Sequence, residues 1–193
     1  MKKLFLVAAL ATIFSACSTA TLININVDGD SFIPAANRTT TQNVTAGPAI
    51  NIPIPENGLA VPLPSLSFLT RIALKIDAGI VSSVAGAING TLELYVGPSS
   101  ATNVTLYDPN NKVPTGANCV GDLTVDGTNP VKVDLSLTAS SPTLCANAFN
   151  RIKSGQFKIG ARVSFVATSN TTVTINLTNF DVGVSGYPVQ ILK

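Results

Sequence analysis

The chain has 193 residues, 46% of them hydrophobic and only 11% charged. Average soluble proteins carry about 25% charge, and disorder needs low hydrophobicity with high net charge, so the composition describes a folded chain with neutral polar surfaces. There is no His and no Trp, and the formal charge is +2; the missing His excludes Ser-His-Asp and Cys-His catalysis and removes the commonest zinc and copper ligand, and the low net charge argues against a nucleic-acid partner.

Lys2 and Lys3 account for that formal charge and give the chain a positive start. Leu4 to Phe14 is an apolar run broken only by Thr12, and small Ser15 and Ala16 follow. This is the layout of a secretory signal peptide. The run is about eleven residues long, whereas a bilayer core needs about 20, so it reads as an export signal and not a transmembrane helix. Cys17, placed directly after Phe14-Ser15-Ala16, resembles the lipobox cysteine of bacterial lipoproteins, with Phe14 where that family usually has Leu.

The resemblance covers this segment alone. It implies that residues 1–16 are removed and that Cys17 becomes the first mature residue, carrying acyl chains such as palmitate on sulfur and amine. Residues 17–21 then form a lipidated tether and residues 22–193 a single domain, a length that suits one core. Ser18 stands where an Asp is associated with inner-membrane retention, so the resemblance implies the outer membrane. Ser18-Thr19-Ala20 offers a rival, ordinary cleavage site that would release a soluble product.

Alternating apolar residues then predict strands in order. The first is Leu22–Val27, followed by an Asp28-Gly29-Asp30 turn. Residues 35–49 read as a loop or weak edge strands. Residues 50–64 hold so many prolines that only an edge segment or crossover is possible. Leu66 to Ile80 is a long strand with Ile72, Leu74 and Ile76 on one face, and 80–88 is a strand or a helical turn. Shorter strands follow at Thr91–Val96, Asn103–Tyr107 and Asp122–Val125, with a loop at 112–121. Val131–Thr138 alternates most cleanly. One helix is predicted at 142–153, with Ser141 as N-cap, Pro142 in its first position and Gly155 as its stop. Gln156–Ala167 and Thr172–Val184 complete the domain. The parity change between Leu177 and Phe180 demands a bulge near Asn179.

The cysteines number three, Cys17, Cys119 and Cys145. With Cys17 lipidated, Cys119 and Cys145 remain as one pair, which an oxidising compartment would join; two buried free thiols are the alternative. No Cys-x-x-Cys spacing points to redox work. Asn26, Asp28 and Asp30 have the spacing of half a calcium loop without its glycine and closing Glu, so a polar turn is the better reading. Asp122 and Asp126 bracket a strand as paired carboxylates, although turn chemistry suits them better. Glu56 and Glu93 stand isolated in the sequence. Six Asn-x-Ser/Thr sequences, at Asn37, Asn43, Asn89, Asn103, Asn170 and Asn176, read as polar strand faces.

The expected fold is therefore all-β, an antiparallel β-sandwich with one short helix, a small β-barrel being the alternative. The expected function is that of a lipid-anchored cell-envelope lipoprotein, non-enzymatic and without a cofactor. It would be structural or adhesive, held to the membrane by its N-terminal lipid and bound to an envelope protein. Segment 59–88 carries few charges and reads as a two-sided buried strand, a docking face, or a pocket for a lipid-like ligand. The last of these would make the protein a carrier of an apolar ligand.

Overall fold

The computed structural model describes residues 23–28, 33, 35, 38–62, 65, 69–113, 119, 124–138 and 143–186. Two five-stranded antiparallel sheets make a β-sandwich, not a barrel. The first sheet holds β1 (Ile23–Asp28), β2 (Thr39–Val44), β4 (Leu69–Ser82), β8 (Val131–Thr138) and β10 (Thr171–Gly186). The second holds β3 (Ala49–Pro62), β5 (Ile88–Pro98), β6 (Lys112–Val113), β7 (Thr124–Val125) and β9 (Gln156–Ala167). Two α-helices, α1 (Asn103–Leu106) and α2 (Thr143–Lys153), and a 3-10 turn at Pro109–Asn111 complete the described elements.

Strand β10 is the axis of the first sheet. Strand β4 runs along one of its sides, and β1 and β2 divide the other. Its burial pattern explains its bulge. Val173, Ile175 and Leu177 are buried, and then Phe180, Val182 and Val184. One extra residue between Leu177 and Asn179 shifts the register against β4 and returns the apolar parity to the core. Strand β3 tolerates Pro53 and Pro55 because it is an edge strand, where a missing N–H costs no ladder bond.

The core lies between the sheets and takes alternate residues from each strand, among them Ile72, Leu74 and Ile76 of β4, Leu92 and Leu94 of β5, and Val163 and Phe165 of β9. On the other face of β4, Arg71 and Lys75 are exposed. The strand is thus buried on one side only, which corrects the two-sided reading of segment 59–88 for its described part. Leu66 and Phe68 lie outside the described residues.

Helix α2 packs across strands of both sheets. Cys145, Ala148, Phe149 and Ile152 form its buried stripe. Gly155, at φ 74°, ends it as expected of a C′ residue. The proposed cap, Ser141 with Pro142, lies outside the described residues.

Two expectations are corrected. Asn103–Tyr107 does not form a strand. Thr102 accepts from the Thr105 backbone N–H at 3.2 Å and its own N–H donates to the Thr105 hydroxyl at 2.9 Å. This reciprocal box nucleates one helical turn and leaves Val104 exposed. The predicted loop at 112–121 begins with β6, which pairs Val113 with Leu94 of β5.

That α1 turn folds back over the outer face of the second sheet, where Leu106 and Tyr107 cover Tyr95 and Ala101. The sheet needs glycine beneath it. A Cβ at Gly160 would lie 2.6 Å from Tyr107 Oη and 3.0 Å from Leu106 Cδ2. Tyr107 cannot simply withdraw, because its hydroxyl donates to Pro55 O at 2.6 Å. Gly160→Ala should therefore destabilise the fold by about 1–3 kcal/mol, read by denaturant unfolding; an unchanged midpoint would show that the α1 turn yields freely.

Candidate functional site

Cys119 and Cys145 are joined, with Cα atoms 6.2 Å apart, inside the ordinary range for a disulfide. Cys145 has no exposed surface. The bridge ties α2 to the stretch beside β8, where Cys119 O accepts from Ser136 N at 3.3 Å. Cys17 and Asp30 lie outside the described residues, as does Asp122. Asn26 and Asp28 lie on one exposed face of β1, which runs through Asp28 where a turn was expected. Asp28 pairs in register with Asp181 of β10. Among the described residues no three His, Cys, Asp or Glu side chains converge.

Asp126 does turn chemistry. Its carboxylate accepts from the backbone N–H groups of Asn129 and Thr128 and from both of their side chains, at 2.7–2.9 Å. The Asn129 and Thr128 backbone bonds hold it well below the usual carboxylate range.

Glu93 is not isolated, contrary to the sequence reading. It lies on the outer face of β5 opposite Arg162 of β9. Arg162 reaches Oε2 with Nε at 2.8 Å and Nη2 at 2.7 Å, Tyr95 donates to the same oxygen at 2.9 Å, and Lys112 of β6 holds Oε1. The Arg162 guanidinium also lies 5.0 Å from the centroid of the Tyr95 ring, a cation–π contact. Burial alone would raise the Glu93 pKa, but the hydrogen bonds from Lys112, Arg162 and Tyr95 bring it down to about 2. Burial and the bond to Glu93 push the Tyr95 phenol up. Every group in this cluster is occupied by another, which suits a clasp joining β5, β6 and β9 rather than a reactive centre.

An open surface of different character lies at one end of the sandwich. Three connections cross between the sheets there, at 45–48, 83–87 and 168–170. They surround a depression of about 400 Å³ lined by Asn43, Thr45, Ser83, Asn170 and Thr172, with Val44 and Thr171. Its floor is a hydroxyl network. Ser82 and Thr171, both buried, share a hydrogen bond of 2.6 Å, and Ser83 Oγ lies 3.1 Å from Thr171 Oγ1. The two Asn carboxamides are held by their oxygens. Asn170 Oδ1 accepts from Ala46 N at 3.0 Å, and Asn43 Oδ1 accepts from Thr172 Oγ1 at 2.9 Å.

From this depression a neutral polar face runs along β2 and β10. Thr41 stands opposite Thr174, with hydroxyls 3.3 Å apart. Thr39 donates to Asn176 Oδ1 at 3.1 Å. Asn43, Thr45, Asn170, Thr172 and Asn176 belong to the Asn-x-Thr sequences at 43, 170 and 176. Asn43 and Asn176 do lie on strand faces, whereas Asn170 is in the β9–β10 connection and Asn103 in α1; Asn37 is outside the described residues. The sequence reading missed the depression because its lining comes from three distant connections.

No protein-family model matches the chain, and no curated protein matches it. Solved structures are matched at low identity. One is the structure of the infectious bursal disease virus Gx strain, 12% identical over 90% of this chain and 35% of that one, with a TM-score of 0.43. Another is SGBP-B from a complex xyloglucan utilization locus in Bacteroides uniformis, 12% identical over 86% of this chain and 46% of that one, with a TM-score of 0.29. The chain spans less than half the length of either. No helix among the described residues is long and apolar enough to cross a membrane.

Proposed function

We propose that this protein is an exported bacterial envelope lipoprotein, anchored through acyl chains on Cys17, with a non-enzymatic binding role. The observation that supports it is the pairing of cysteines. The bridge between Cys119 and Cys145 is the form that an oxidising compartment maintains. It accounts for every cysteine but one, and that one stands directly behind a signal-like segment. The anchor leaves the β-sandwich to face the aqueous side, where its exposed strand faces meet partners in the envelope. The outer membrane is the destination that Ser18 favours. Acyl chains contribute roughly 0.8 kcal/mol per buried CH₂, so the multiple chains of a lipoprotein hold it stably.

Intact mass spectrometry of the native membrane-extracted protein, with and without reductant, tests this. The mass should begin at Cys17, include acyl chains, and gain the hydrogens of one reduced disulfide. A mass beginning at Thr21 without lipid would overturn the anchored reading and leave a released β-domain.

A further inference from the structure

We propose that the depression at the end of the sandwich binds a neutral oligosaccharide, with the β2–β10 face as its track. This deepens the binding role proposed above, and its test does not depend on the anchor. Charge decides the ligand class first. None of the residues lining the depression is charged. A phosphate or carboxylate would call for Arg or Lys, and a divalent cation for several carboxylates. An apolar ligand would strip water from the Asn, Ser and Thr groups and give nothing back. A sugar offers hydroxyls that both donate and accept, which is the chemistry of this lining.

The two carboxamides carry the argument further. Each has its oxygen committed, Asn170 to the Ala46 N–H and Asn43 to the Thr172 hydroxyl. Each Nδ2 still carries its two N–H donors. Side chains held in place before a ligand arrives lose little freedom on binding it. The site is thus a pair of fixed donors above a hydroxyl floor, and sugar ring and hydroxyl oxygens are acceptors for them. The Thr39, Thr41, Thr174 and Asn176 side chains continue the same chemistry along the strands. Six residues of β2 at about 3.3 Å each make a track of about 20 Å, longer than one sugar ring, so the ligand is a chain.

The test titrates cellohexaose, maltohexaose and chitohexaose separately into the purified full-length protein in a sugar-free detergent, followed by calorimetry. At least one should bind saturably with a Kd of about 1 mM or tighter. Asn43→Asp and Asn170→Asp keep the accepting oxygen that positions each side chain but remove its donors. Each should weaken binding about tenfold without moving the thermal midpoint. If either Asp variant unfolds, Thr45→Val replaces it, with the same criterion. Absence of saturable binding with all three sugars, or binding that the variants leave unchanged, would overturn the proposal. The mass measurement above decides the anchor separately.

Discussion

Cys119→Ser should lower the unfolding free energy by roughly 3.5 kcal/mol, because the bridge closes a loop between residues 26 apart and the open chain regains that loop's freedom when unfolded. Total stabilities of single domains run about 5–15 kcal/mol, so this is a large share. The effect reaches beyond entropy. Helix α2 has only eleven residues, too few to persist alone, and holds its place through Cys145, Ala148, Phe149 and Ile152. Releasing Cys119 frees the stretch that pins it beside β8. Guanidinium unfolding of the wild type in reductant should show the same loss as the variant in air. Equal midpoints with and without the bridge would mean that the helix is held by packing alone.

Acid should be the second strong effect, acting through Glu93. Its folded pKa lies at about 2 against an ordinary 4.5. A carboxylate depressed on folding stabilises fully above its unfolded pKa and loses that contribution as pH falls through the folded one. The window is therefore from about pH 4.5 down to about 2, and the contribution lost is of order 3 kcal/mol. The sign follows from the partners. Protonating Glu93 leaves Lys112 and Arg162, which share its carboxylate, with no anion between them. Glu93→Gln should flatten this part of the stability profile and cost about 2 kcal/mol at pH 7, less than a fully buried pair because Lys112 is 37% exposed. A profile between pH 5 and 2 that is the same in wild type and Glu93→Gln would remove Glu93 from the account of acid sensitivity.

What the sequence revealed depended on the range of the signal. Strand faces, the bulge before Asn179 and the Gly155 stop are written in adjacent residues, because side-chain parity and backbone freedom are local properties. Val104 and Leu106 also alternate, but over too few residues for period to separate strand from helix. There the Thr102–Thr105 hydrogen bonds decided. Glu93 looked isolated because its cationic partners lie 19 and 69 residues away and meet it only through the β6–β5–β9 register. The depression is less local still. It exists because three crossings between sheets end at the same place. Cysteine pairing was readable because only one intrachain partnership remained once Cys17 was set aside.

The division of one side of β10 between β1 and β2 has a mechanical meaning. Ile23 pairs with Gly186 at one end of β10, while Asn43 and Thr172 flank the depression at the other. Sixteen residues at about 3.3 Å each separate the two ends by roughly 50 Å. A pull applied at Ile23 and at the depression runs along β10, not across it. The β1–β10 hydrogen bonds then carry load together in shear, instead of parting one at a time as they would when peeled. Built this way, the sandwich would behave as a stiff link between its two ends.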